Sequence, residues 1–382
     1  MTVSPGSGGG NTVFNLLEPC RTGNNVFYAT PSSFPSHWVP FPQLSGRICW
    51  FDVPLPFQLR GAGRIAFIRR ANALWLSLRG PSVRRSVVRQ LRKHIRDTKT
   101  DVLLLCPQNM LDLAASTELL RSTRLPAVVW FMDNYFTEGS ATALVGELWR
   151  EARRRFVISE AMQQYFSGSF DGDCEVLNNS VPVPAYSPPT AIPGAPLRVV
   201  YAGATHSFYL HSFMTLLNEL RDLSAQVELD IYSHEGLPAN FGSQVSYRLL
   251  PPVPAAELVK KLRQYDVLLL LSSFKPEHRA LAETSLASKV ADYLVAGRCI
   301  LAFGPDYCEN VRYTNRNGFG EVATSTGELR RVVEALARDP ERRRELGVRA
   351  YRFGQMRHNQ ATNSTRLWQA LIEACTMATR SN

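Results

Sequence analysis

The sequence has no long hydrophobic run. Its longest, Val267 to Leu271, is the size of a strand and far short of the ~20 apolar residues that cross a bilayer, so no transmembrane helix is expected. Residues 1–11 carry neither a basic start nor an apolar core, so no secretory signal is expected there, and a cytoplasmic protein is. Cysteine is sparse: Cys20, Cys49, Cys106, Cys174, Cys299, Cys308 and Cys375 are odd in number and form no CxxC pair. That argues against a zinc cluster and against a disulfide framework, and reduced, buried thiols are expected. Without a secretory signal, the glycosylation patterns at Asn178 and Asn363 read as accidental. Walker, GxGxxG and Ser/His/Asp signatures are also missing. Gly and Pro, 24 of each, follow no period, which excludes a collagen-like chain. What remains is an ordinary globular composition, 45% hydrophobic and 20% charged. At 382 residues, and about 150 per domain, two domains are expected, with three as the upper alternative.

Acid is nearly absent from one stretch. Between Arg60 and Lys99 there are twelve Lys or Arg and one acid, Asp97, a net +11 in a chain whose total is +10. Phe67, Ile68, Leu74 and Trp75 lie among these arginines. A basic helix with large apolar residues on its other face fits an anionic membrane surface or a lipid-linked anionic substrate. A solvated helix pair capping a domain is the plainer alternative. No nucleic-acid-binding pattern accompanies the charge, so nucleic acid is not expected as a partner.

Elsewhere, short apolar runs alternate with helix-length patterns. Strands are expected at 25–29, 48–53, 102–106, 127–132 and 156–159, with helices at 111–121 and 142–154. Residues 181–196 hold six prolines in sixteen residues and read as a linker. The alternation then restarts: strands at 197–201, 227–232, 267–272 and 299–303, with helices at 208–223, 255–264, 288–296, 326–338, 340–353 and 365–378. Strand–helix alternation predicts an α/β protein with parallel sheets in two halves, which would leave a ligand cleft at the strands' carboxyl ends. The expected domains are 1–181, a linker at 182–196, 197–360, and a terminal helix in 361–382.

The most informative block runs from Ser285 to Phe303, SLASKVADYLVAGRCILAF. It resembles the retaining, nucleotide-sugar-dependent glycosyltransferases of the GT-B fold, and looks most like glycosyltransferase family 4 and its bacterial polysaccharide and lipopolysaccharide relatives. Four weaker blocks agree: SPGSGGG at 4–10, VISEAMQQY at 157–165, Tyr201-Ala202-Gly203, and YDVLLL at 265–270. The resemblance implies two Rossmann-like domains facing across a cleft, with the last helix returning to the first domain. It also implies a nucleoside-diphosphate sugar as donor, no cofactor or metal, and a glycan or lipid-linked acceptor at the inner face of the membrane.

The residues suit that chemistry. A helix starting near Ser288 offers free N–H groups and its positive dipole end to a diphosphate. Asp292, one turn in, is suited to accept both ribose hydroxyls, the role the family gives an acid there. Lys289, with Lys275 or Arg279, would neutralise the departing diphosphate, and the loop Ser285, Leu286, Ala287, Ser288 follows the donor. Two departures stand out. Where the family has a donor-facing glutamate eight residues before Asp292, this chain has Thr284, and Glu283 beside it is the catalytic candidate. After Gly203 the family's Arg and Lys are replaced by Ala204-Thr205-His206-Ser207, with His206 the titratable group. On the acceptor side, Gly8, Gly9 and Gly10 would admit an acceptor close to the backbone, and Asp133 would orient its hydroxyl or else cap a turn. Only Thr2-Val3 stand where a strand should precede the glycines, so the natural start lies upstream of Met1 or the sheet is shortened. The expected activity is sugar transfer with retention, in surface polysaccharide or glycoconjugate synthesis. A catalytically weak, glycosyltransferase-like binding subunit and a nucleotide-sugar epimerase on the same fold are the alternatives.

Overall fold

A computed structural model of the chain describes residues 8–21, 23–31, 41, 44, 46–53, 66–134, 140–189, 195–205, 207–220, 227–234 and 247–379. The chain divides into two compact units, Met1–Leu177 with Ala361–Asn382, and Asn178–Gln360.

The first unit contains α1 (Gly8–Leu17), β1 (Tyr28–Pro31), β2 (Ile48–Phe51), α2 (Ala66–Thr98), β3 (Leu103–Leu105) and α3 (Met110–Thr123). It continues with β4 (Ala127–Phe131), α4 (Ser140–Glu151), β5 (Arg154–Val157), α5 (Glu160–Ser169) and β6 (Glu175–Val176). Pairing is parallel throughout, β1 with β2 and, separately, the row β3-β4-β5-β6. Strand β4, all Val, Ala and aromatic, is buried along its whole length, as a parallel strand covered on both faces must be. Phe131 and Trp149 each pack on Phe166 with ring centroids 4.9 Å apart. The basic stretch forms one helix, α2, rather than a pair, with Pro81 inside it.

The second unit contains β7 (Leu197–Ala202), α6 (Ser207–Leu220), β8 (Val227–Tyr232), β9 (Tyr247–Leu250), α7 (Ala255–Leu262) and β10 (Val267–Leu271). After these come α8 (Arg279–Thr284), α9 (Lys289–Ala296), β11 (Cys299–Phe303), α10 (Glu309–Asn317), β12 (Gly320–Ala323), α11 (Thr326–Arg338) and α12 (Pro340–Arg357). Its sheet is ordered β12-β11-β10-β7-β8-β9, all parallel. That is the doubly wound order in which ligands bind beyond the carboxyl ends of the central strands. Strands β10 and β11 are buried at every position.

The proline-rich stretch read as a linker lies, where described, packed on the second unit. Tyr351 donates to the Pro184 carbonyl at 2.8 Å, and the buried Arg298 guanidinium donates to the carbonyl of Ser187 at 2.8 Å. Prolines remove backbone donors but leave the carbonyls, which these side chains read. The last helix, α13 (Gln360–Thr379), belongs to the first unit, where Trp368 donates to the Leu17 carbonyl at 3.0 Å. All seven cysteines are free. No described helix is long and apolar enough to cross a membrane.

Candidate functional site

The second unit's central strand ends in a turn that only glycine makes easily. Gly203 has φ +143°, and its N–H donates to the Tyr232 carbonyl at 2.9 Å. Beside it the Tyr201 hydroxyl donates to the Ala204 carbonyl at 2.7 Å, and Thr205 and Ser233 hydroxyls meet at 3.3 Å. His206 lies outside the described residues.

Helix α9 comes to this turn. Val290, Ala291 and the run Tyr293 to Ala296 are buried, while Lys289 and Asp292, three apart on one face, are partly exposed. The Tyr293 hydroxyl accepts from Ala202 N–H at 2.9 Å, tying the helix to β7. Lys289 turns inward: its Nζ is shut off from solvent, has no hydrogen-bond partner among the described residues, and sits 3.7 Å from the Tyr201 ring centre and 4.9 Å from that of Tyr209. A methyl group on Gly203 would lie 2.7 Å from that Nζ. The structure therefore brings Gly203 and Lys289 together. Burial lowers the Lys289 ammonium to about 7 and, by the same cause, raises the Asp292 carboxyl to about 7. Among the described residues no ion pair neutralises either.

The loop before α9 is held from two sides. Asn310 accepts from Ala287 N–H at 3.0 Å and donates to the Ser272 hydroxyl at 3.1 Å. Asn179 donates to the Ser288 carbonyl, and its own carbonyl accepts from His358 Nδ1 at 2.7 Å. Ser288 makes no side-chain cap, Leu286 is buried, and the Ser285 hydroxyl is buried without a partner among the described residues. Buried polar atoms are normally paired, so Ser285 Oγ and Lys289 Nζ stand out among the described residues. Neither Asn310 nor Asn179 was singled out as a site residue.

Other candidates are engaged elsewhere. Arg279 and Glu283 pair with each other at 2.8 Å on α8, and Arg279 lies over the Tyr307 ring at 4.5 Å. Lys275 is 3.6 Å from Glu277. In the first unit, Gly8, Gly9 and Gly10 form the first turn of α1, rather than a loop ahead of it. Asp133 is half-buried just past β4, and the adjacent Asn134 is 2% exposed with both polar side-chain atoms unpartnered among the described residues.

No family model matches the sequence, and no curated protein matches it. Solved structures match over nearly the whole chain. Sucrose-phosphate synthase from Thermosynechococcus elongatus aligns with a TM-score of 0.70 at 12% identity, covering 95% of this chain and 92% of that one. HepE of Anabaena, solved in complex with UDP, gives 0.66 at 12% identity over 96% and 97%. A glycosyltransferase from Rickettsia africae gives 0.65 at 11% identity over 96% and 95%. At such identities the likeness is one of fold: the chain has the GT-B architecture of two Rossmann-like domains.

Proposed function

We propose that the chain is a glycosyltransferase that moves a sugar from a nucleoside-diphosphate donor to a hydroxyl of a glycan or lipid-linked acceptor, with retention and without a metal. Surface polysaccharide or glycoconjugate synthesis at the cytoplasmic face of the membrane is the setting. The observation that carries this reading is the Lys289 ammonium at Gly203, at the carboxyl end of β7, which has no hydrogen-bond partner among the described residues. There it would take the diphosphate together with the α9 N-terminus, while Asp292 accepts the ribose hydroxyls. As the bond from the anomeric carbon to the diphosphate oxygen breaks, the diphosphate keeps the electron pair and Lys289 stabilises it. The acceptor oxygen forms the new bond and its proton passes to the departing diphosphate, with Asp133 orienting that hydroxyl and Gly8 to Gly10 admitting the acceptor.

UDP is the first nucleotide to try, since HepE structures are described with UDP and with UDP-glucose. Calorimetry with UDP and GDP, then hydrolysis of UDP-glucose with and without EDTA, tests the reading. Binding with slow, EDTA-insensitive hydrolysis supports it, and binding of neither nucleotide counts against it. A binding subunit of low activity is the second reading, favoured by the closed Arg279–Glu283 pair. Nucleotide binding with neither hydrolysis nor transfer would select it.

A further inference from the structure

The chain passes between the two units twice, at Leu177–Asn178 and at Gln360–Ala361. Within the second unit the two crossing segments lie against each other. Val181 N–H donates to the His358 carbonyl at 3.2 Å, and Gln360 N–H donates to the Val181 carbonyl at 3.1 Å. Val181 and Asn359 pair as a parallel bridge. Asn178, Asn179, Ser180 and Val181 are all buried, which a connecting stretch seldom is. Helix α9 is fastened to both segments. Val181 forms one buried cluster with Ala291 and Val295 of that helix. Helix α12, which runs into the second crossing, approaches α9 so closely that a methyl group on Gly354 would lie 3.0 Å from Leu294 Cβ.

At the start of α9 the tie is a chain of hydrogen bonds. His358 is fully buried, and its Nδ1 faces the backbone carbonyl of Asn179 at 2.7 Å. A carbonyl only accepts, so Nδ1 carries the hydrogen, and in the neutral ring Nε2 accepts from the Tyr313 hydroxyl at 2.9 Å. The Asn179 amide nitrogen in turn donates to the carbonyl of Ser288, the residue before Lys289. Its Oδ1 is buried with no partner among the described residues. An amide that makes one bond and leaves a buried oxygen unpaired adds little stability. Placing Ser288 is the better account of it.

We propose, resting on the nucleotide reading of Lys289, that Asn179 and His358 are positioning residues of that site, which fix the first turn of α9 to the two crossing segments. His358 orients the Asn179 backbone, and the Asn179 amide sets the Ser288 carbonyl. The position of Lys289 and of the first N–H groups of α9 follows, as a site held by supporting hydrogen bonds requires. The coupling is reciprocal: a ligand that tightens the start of α9 tightens the crossing segments as well.

Calorimetry, thermal unfolding and amide exchange on the full chain test this, with UDP as probe, or GDP if it binds more tightly. Asn179→Leu keeps the bulk and removes the donor. Its nucleotide affinity is expected to fall by about tenfold, while its melting midpoint stays within about 3 °C of the unmodified chain. His358→Asn and His358→Leu both lose the contact with the Tyr313 hydroxyl. The asparagine nitrogen, however, stands as many bonds from Cα as Nδ1 and keeps the bond to Asn179. His358→Asn is therefore expected to hold affinity within about threefold, and His358→Leu to lose about tenfold. In the unmodified chain, saturating nucleotide is expected to slow exchange of the Val181 and Gln360 amides by about threefold or more, and in His358→Leu to leave it unchanged. Unchanged affinity in Asn179→Leu, equal affinities in the two His358 variants, or exchange at Val181 and Gln360 that ignores bound nucleotide would overturn the proposal and leave the nucleotide reading standing. An unmodified chain that binds neither UDP nor GDP would overturn that reading, and the proposal with it.

Discussion

Lys289 is a charge that the free fold holds against its own stability. Burial alone brings it down to about 7 from 10.5, although part of its stem stays exposed. Lys289→Met should therefore act in opposite directions on fold and function. At pH 6 it should stabilise the protein by about 1–3 kcal/mol, because an unpaired buried ammonium gives way to an apolar chain of similar length. UDP affinity should fall by about tenfold or more, the loss of a charge-assisted bond. An amine lowered in the folded state costs most below its folded value and nothing above its unfolded one. The stabilisation should accordingly shrink as pH rises from about 7 towards 10.5. Denaturant unfolding at pH 6 and 9 checks this, and a variant less stable at pH 6 would refute it. Asp292, raised to about 7, is ionised above that value, whereas Lys289 is charged below it. UDP-glucose affinity should then peak near pH 7. Asp292→Ala should cost about 1.5–3 kcal/mol of binding and remove the fall on the acid side. An unchanged acid limb in calorimetry would take the ribose role from Asp292.

At the scale of the element, the turn after β7 and the start of α9 work as one piece. Gly203→Ala should cost about 1–3 kcal/mol of stability, since alanine strains at φ +143°. Its Cβ would also displace an ammonium 2.7 Å away, so nucleotide affinity should fall with it. Thermal unfolding and calorimetry on the same variant check both, and affinity that survives in a destabilised variant would separate turn from site. Elements of this kind were legible where local pattern and burial agree. The runs at Val267–Leu271, Cys299–Phe303 and Thr326–Arg338 were predicted in place, because each is either uniformly apolar or strongly one-sided. Helix α10 was missed because its sequence, ENVRYTNRN, is polar; its buried Glu309 pairs with Arg316 at 2.7 Å. Strand β9 was missed because it is short and edge-placed. Asn310 and Asn179 act on a loop far away in sequence, which no local spacing reveals. The Asn178-Asn179-Ser180 pattern, read as an accidental glycosylation match, is buried, and Asn179 holds Ser288.

For the molecule as a whole, most of the net charge lies on α2. From residue 79 onward this helix is two-sided: Val83, Val87 and Val88 are buried, while Arg85, Arg89, Arg92, Lys93 and Arg96 are exposed. Arg84 is already occupied, 2.6 Å from Glu118, so it is a poor probe of any external partner. Like charges within a Debye length of about 8 Å repel, and an anionic surface relieves that repulsion by about 1 kcal/mol per basic residue. Salt-sensitive binding to vesicles containing phosphatidylglycerol, with little binding to phosphatidylcholine alone, is therefore expected. Replacing Arg85, Arg89, Arg92, Lys93 and Arg96 with Gln should weaken it by about tenfold or more. Those side chains face solvent, so the melting midpoint should hardly move. Equal sedimentation with both kinds of vesicle at low salt would refute the membrane role. A soluble anionic acceptor would show a different pattern, with vesicles ignored but acceptor affinity falling in the Gln variant.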